Sequence, residues 1–132
     1  MKVLLDTHYL IWLANDPSML TQPEQDLVSD EQYRLLASTV SLWELRTKWN
    51  TRDRNGNRRG VLSPQAAVNF VEALGLEFAP IIADDCLYDL DPAMAHTDPF
   101  DEMLLIQAGR LEARLLTRDR ALINHPLAYR FE

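Results

Sequence analysis

Val3-Leu4-Leu5-Asp6-Thr7-His8-Tyr9-Leu10-Ile11-Trp12-Leu13-Ala14 decides the fold. Three successive aliphatic residues that meet an acid at once read as a short buried strand ending at Asp6. Leu10 to Ala14 is then apolar on most of its surface as a helix, and Asn15-Asp16-Pro17 stops it. The same alternation recurs outward along the chain. Gln25 to Asp30 reads as a second, shorter helix, and Leu35 to Ala37 as the second strand. Ser41-Leu42-Trp43-Glu44 has the pattern of a capping box, with Ser41 as N-cap and Glu44 at N3. Asn50 to Gly60 (NTRDRNGNRRG) is a loop. Ser63-Pro64 opens a helix that Gly75 ends, and Phe78 to Ile82 is a third strand weakened by Pro80. Asp84 to Leu90 forms a short helix. Asp98-Pro99-Phe100-Asp101 starts another, with Asp98 as N-cap, Pro99 at N1 and Asp101 at N3. Arg114 to Thr117 is the fourth strand, Asp119 to Ile123 a short helix, and Ala128 to Phe131 an edge strand. Strands alternating with helices imply an α/β sandwich with a mostly parallel sheet and helices on both faces.

The chain has 132 residues, enough for one domain over 1–132 and too few for two. Its 47% hydrophobic and 25% charged residues are the balance of a globular chain. No apolar run is long enough to span a bilayer, and the acid at position 6 interrupts any signal-peptide core. One cysteine, Cys86, excludes an internal disulfide framework and a cysteine-rich zinc site. A cytoplasmic protein without membrane attachment is expected. The net charge of −7 argues against a simple electrostatic binder of nucleic acid. The charge is unevenly placed, however. Asp84 to Glu102 holds seven acids and no Lys or Arg, while Arg46 to Arg59 holds six basic residues and one acid, Asp53.

In a parallel sheet all strands leave at one edge, and ligands bind there. Asp6, Glu44, Asp98, Asp101 and Asp119 come from four separate segments and are all expected near that edge. Each has an ordinary structural alternative: a cap for Asp6 and Asp98, a pairing with Lys48 for Glu44, a dipole partner for Asp101, a turn for Asp119. Together they would repel one another and raise each other's pKa values, a conflict that a bound divalent cation relieves. Oxygen ligands without Cys or His spacing point to Mg²⁺, with Mn²⁺ the alternative, rather than Zn²⁺.

These residues carry a family resemblance. Leu4-Leu5-Asp6-Thr7-His8 with Leu10 to Ala14, Ser41-Leu42-Trp43-Glu44, His96-Thr97-Asp98-Pro99-Phe100-Asp101-Glu102-Met103-Leu104 and Leu115-Leu116-Thr117-Arg118-Asp119 stand in order along nearly the whole chain. In these segments the chain resembles a PIN-domain nuclease of the kind found in VapC-type toxins of bacterial toxin–antitoxin pairs. The resemblance implies a three-layer α/β/α sandwich, divalent-metal endoribonuclease activity leaving 5′-phosphate and 3′-hydroxyl ends, a homodimer, and inhibition by a cognate antitoxin. Asp6, Glu44, Asp101 and Asp119 match the family's catalytic, metal-holding acids. Asp98 belongs to the DPFD form of the motif as a further metal candidate, and Thr117 supports the site. Glu102 stands where many relatives carry Arg, and the 50–60 loop is longer than the usual connection.

Other residues read as follows. Arg52, Arg54, Arg58 and Arg59 are the candidates to track an RNA backbone, on a loop whose Gly and Asn content leaves it flexible. Trp12 and Trp43 lie among aliphatics and read as core, Cys86 as a buried or inert thiol, and Lys48 as the helical neighbour of Glu44. The competing functions are a catalytically silent RNA-binding or protein-docking module of the same fold, and a phosphoryl-transfer protein with Asp6 as nucleophile. The latter lacks a second nearby Asp.

Overall fold

The computed structural model describes residues 1–94 and 98–132. His96 and Thr97 of the third motif lie outside the described residues. The elements run β1 (Lys2–Leu5), α1 (Thr7–Asn15), a 3-10 turn (Pro17–Met19), α2 (Gln22–Ser29), β2 (Arg34–Ser38), α3 (Thr39–Trp49), α4 (Pro64–Ala73), β3 (Glu77–Ala79), α5 (Ala83–Leu87), α6 (Pro99–Arg110) and β4 (Ala113–Leu116). The strands form one sheet in the order β3-β2-β1-β4, and every pairing is parallel.

Side-chain alternation along the strands separates two faces. Leu4, Leu36, Ala113 and Leu115 pack with Leu104, Leu105 and Ala108 of α6 and with Val40. Val3, Leu5 and Leu116 pack with Tyr9 of α1 and Leu27 of α2. Ala37 meets Leu10 of α1, Leu45 of α3, and Ala67 and Val71 of α4. Helices thus cover both faces, giving the three-layer α/β/α sandwich.

The chain builds β1, β2 and β3 to one side, then returns to place β4 on the other side of β1. β1 and β4 flank the point where strand order reverses, the position at which such sheets bind ligands. Their register sets Leu5 opposite Leu116, so Asp6 and Thr117 leave the sheet side by side.

Several boundaries differ from the sequence reading. α3 starts at Thr39 with Ser38 as its N-cap, the Ser38 hydroxyl accepting from the Val40 N–H at 3.0 Å. Ser41 is no cap: it is buried inside the helix and shares a 2.8 Å hydrogen bond with the Thr7 hydroxyl. Glu44 therefore sits in the second turn of α3, not the first. α2 begins earlier, at a capping box formed by Thr21 and Glu24. β3 stops at Ala79, before Pro80, which lacks the N–H a ladder needs. Residues 119–123 form turns rather than a helix, and 128–131 contribute only the bridge between Leu115 and Ala128. Trp43 is 59% exposed and Cys86 is exposed, so neither is core.

The 50–60 loop is tied down more than its composition suggests. The Asp53 carboxylate accepts the N–H groups of Asn55 and Asn57, and Arg52 bridges to Arg58. Gly60 passes so close to Trp49 that a Cβ there would lie 2.7 Å from the Trp49 Cα, which excludes any larger residue without a backbone shift.

Candidate active site

Asp6 is the fixed point of the site. It caps α1, its N–H is held by the Leu116 carbonyl at 3.0 Å, and its side chain is buried. The Thr117 hydroxyl donates to Asp6 Oδ2 at 2.7 Å and accepts the Asp119 N–H at 3.1 Å. One buried threonine therefore fixes the Asp6 carboxylate and the backbone that carries Asp119. His8 Nδ1 stands 3.8 Å from Asp6 Oδ1, an ion-pair contact and too long for a hydrogen bond. Burial works to raise the Asp6 pKa, but His8 and the Thr117 hydroxyl outweigh it and hold the carboxyl below its ordinary value. The same contact raises His8.

The remaining acids arrive from α3, α6 and the segment after β4. Glu44 is partly buried and pairs with Lys48 at 3.4 Å. Asp98 caps α6, its Oδ1 accepting from the N–H of Phe100 at 2.9 Å and of Asp101 at 3.2 Å. Asp119 is exposed, and its Oδ1 accepts from the Ala121 N–H.

Asp101 records the convergence. Burial, followed by the charges of Asp98, Asp6, Asp119 and Glu44, pushes its carboxyl up to about 6. All five acids predicted from the sequence therefore share one electrostatic neighbourhood. Arg52, Arg54, Arg58 and Arg59 lie on the loop after α3, and Arg58 folds back over the Trp49 ring at 4.5 Å.

Two buried polar brackets that sequence reasoning missed hold the elements in place. The Ser38 hydroxyl donates to Gln107, whose Nε2 donates to the Ala79 carbonyl at 3.2 Å. This ties α6 to the ends of β2 and β3, where the ligand edge lies. On the other flank Glu24 is buried and receives Arg118 and the Tyr9 hydroxyl. Burial would raise Glu24, but Arg118 and Tyr9 bring it down to about 2. The Thr21-Gln22-Pro23-Glu24 spacing could have revealed the cap. Nothing local marks Gln107 or Ser41, whose partners are distant in sequence.

Asp6, His8, Trp12, Arg118 and Asp119 line an open cleft of about 230 Å³. The acids around it offer only oxygen donors, and their charges add to burial in raising Asp101. That donor chemistry fits a hard divalent cation. Among the described residues no three His, Cys, Asp or Glu side chains stand as a ready-formed ligand cluster.

No curated protein matches the chain significantly. Its fold is similar to that of a chain in the crystal structure of VapBC2 from Rickettsia felis bound to a DNA fragment from their promoter. The TM-score is 0.66 at 16% identity, over 97% of this chain and 96% of that chain. No helix among the described residues is long and apolar enough to cross a membrane. The model of the PIN domain matches residues 3–126, which takes in Asp6, Glu44, Asp98, Asp101 and Asp119, and the chain belongs to that family.

Proposed function

We propose that this PIN domain, a single unit over residues 1–132, is a Mg²⁺-dependent endoribonuclease acting as the toxin of a toxin–antitoxin pair in the cytoplasm, with a cognate antitoxin as its inhibitor. The observation that carries the reading is the convergence of five carboxylates from four segments, whose charges add to burial in pushing Asp101 up to about 6. Asp6, Glu44, Asp101 and Asp119 are the residues assigned to hold the cation, with Asp98 as a further ligand. Held by these carboxylates, Mg²⁺ would supply Lewis-acid chemistry for phosphodiester hydrolysis. Thr117 keeps Asp6 oriented through its 2.7 Å hydrogen bond. The lowered pKa of Asp6 keeps that carboxylate anionic at neutral pH, ready as a ligand. Binding of a polyanion to a chain of net charge −7 needs local positive surface, which the arginines of the 50–60 loop supply. The VapBC2 neighbour supports the antitoxin partner, since that structure holds a protein pair on promoter DNA.

The test is cleavage of RNA by the purified protein, with 5′ ends mapped. Cleavage should stop in excess EDTA and in Asp6→Asn, which removes one anionic ligand with almost no change of volume. Activity that survives EDTA would exclude the metal mechanism. RNA binding without cleavage by the wild type would favour the silent module.

A further inference from the structure

The cleft that Asp6 and Asp119 share with His8 and Trp12 has an arginine in its wall, Arg118, the residue immediately before Asp119. Either carboxylate is a natural partner for a guanidinium in that place, yet among the described residues Arg118 pairs with neither. Its Nε donates to one oxygen of Glu24 at 3.0 Å, and its Nη2 donates to the other oxygen and to the Met19 carbonyl at 2.6 Å. The guanidinium also lies over the Trp12 ring at 4.5 Å and the Tyr9 ring at 5.6 Å. Glu24 is buried and has its own anchors: Oε1 accepts the Thr21 N–H at 2.8 Å and Oε2 accepts the Tyr9 hydroxyl. A two-pronged pair on a preset carboxylate holds a guanidinium in one orientation.

We infer that Glu24 is a positioning residue for the metal site: it holds Arg118 away from Asp6 and Asp119 and so keeps their oxygens free for a cation. The inference rests on the metal-dependent reading and adds to it a residue of α2 that lies outside the acid cluster. Without the Glu24 charge, Arg118 loses its anionic partner while two carboxylates remain in the same cleft. Its long side chain can then turn to them and compete with a divalent cation for the same oxygens. An opposite charge brought beside an Asp lowers its affinity for a proton by about tenfold or more, and a metal ion on those oxygens meets the same competition. A clamp that served only to anchor the chain would act differently. Arg118 would then be needed to keep Asp119 in place, and removing the arginine would weaken the metal site instead of relieving it.

The experiment measures Mn²⁺ binding to the purified protein by the electron paramagnetic resonance of the free ion, at neutral pH and without RNA. Far-UV circular dichroism checks the fold of each variant. Glu24→Gln keeps the side-chain size and leaves no buried charge, since the Arg118 side chain is 36% exposed and reaches water. It should bind Mn²⁺ about tenfold more weakly than the wild type. Adding Arg118→Met removes the displaced cation, and the double variant should return to near the wild-type affinity. If Glu24→Gln does not fold, a second pair keeps the comparison. Glu24→Gln with Arg118→Lys retains a free cation and should bind more weakly than Glu24→Gln with Arg118→Met, although both lack the ion pair. Wild-type affinity in folded Glu24→Gln, or no recovery on adding Arg118→Met, would overturn the inference and leave the metal site standing. A wild type that binds no Mn²⁺ would overturn both.

Discussion

Asp6 and Asp101 are both carboxylates of one site, yet the fold treats them in opposite ways. Asp6 has Thr117 and His8 beside it and stays below its ordinary pKa. Asp101 is part-buried with four acids near it, and burial first and their charges second raise it from 3.8 to about 6. From the sequence alone the repulsion is shared among all five acids. The structure moves the stored repulsion to Asp101. Because its pKa in the folded chain exceeds the unfolded value, the native state binds more protons than the unfolded one between those two values. Asp101 therefore costs stability at neutral pH, and the cost fades as the pH falls through about 6 towards 4. Water still reaches the carboxyl, so the penalty is about 1 kcal/mol rather than the full value of the shift. In EDTA, Asp101→Asn should raise the thermal midpoint at about pH 7.5 and leave it nearly unchanged at about pH 4.5. Equal effects at both pH values would show that the charge is not the cause. Glu24 has the opposite sign. Lowered from 4.5 to about 2, it contributes stability that is present above about 4.5 and lost as the pH falls towards 2, and Glu24→Gln should remove that acid-side loss.

Elements meet at the ligand edge because buried polar groups bracket them there. Gln107 has no exposure and joins Ser38 to the Ala79 carbonyl. Gln107→Leu keeps the volume but leaves the buried Ser38 O–H without its acceptor and takes the Gln107 donor from the Ala79 carbonyl, at a cost of about 2 kcal/mol. Chemical denaturation should show a lower midpoint with an unchanged slope, and an unchanged midpoint would refute the bracket. This bracket also marks the limit of what the sequence discloses. Strands that are continuous apolar runs, such as Val3 to Leu5, are legible because burial on both faces leaves no other reading. So is the Asp98-Pro99-Asp101 start of α6, because a cap is local chemistry. The start of α3 is not legible, because Ser41 looks like a cap while its hydroxyl goes to Thr7, 34 residues away. Trp43 reads as core but is not, because apolar neighbours in sequence do not say which way a helix face turns. The site acids are legible as types and as an edge, but their opposed protonation is not, since it depends on Thr117 and on distances between elements. At the loop after α3, the structure also refines an expectation. Arg58 is engaged with both the ring and the carbonyl of Trp49, whereas Arg52 gives a single 3.2 Å hydrogen bond to the Gly56 carbonyl, so Arg52, Arg54 and Arg59 keep more donors for phosphate. Replacing these three by Gln should weaken RNA binding and reduce the salt slope by about 0.7 for each phosphate no longer neutralised. If KM and slope are unchanged while antitoxin inhibition disappears, the loop is a partner surface.

The whole molecule carries net charge −7, with its basic residues concentrated between Arg46 and Arg59. Association of two such chains is opposed by their charge and must be driven by apolar area. The sequence suggests that Leu10 to Trp12 and Leu42 to Trp49 supply it, but Leu10 and Leu45 are each 1% exposed and already used in this chain's own core. What remains outward is Trp43, beside Ile81 at 42% exposure, in a shallow groove completed by Val40, Pro99, Phe100 and Met103 between α3 and α6. A homodimer is still expected, with its apolar contact centred on Trp43 rather than on α1. Sedimentation should give about twice the 15.2 kDa of one chain at micromolar concentration. Salt should strengthen the association, because it screens the repulsion between like-charged surfaces and leaves the apolar contact in place. Trp43→Ser should shift the equilibrium towards monomer by about tenfold or more without unfolding the protein, because the side chain is already in water. A mass near that of one chain for the wild type would exclude the dimer. A dimer that survives Trp43→Ser unchanged would place the interface elsewhere, and the exposed Trp43 would then have to be explained by another partner.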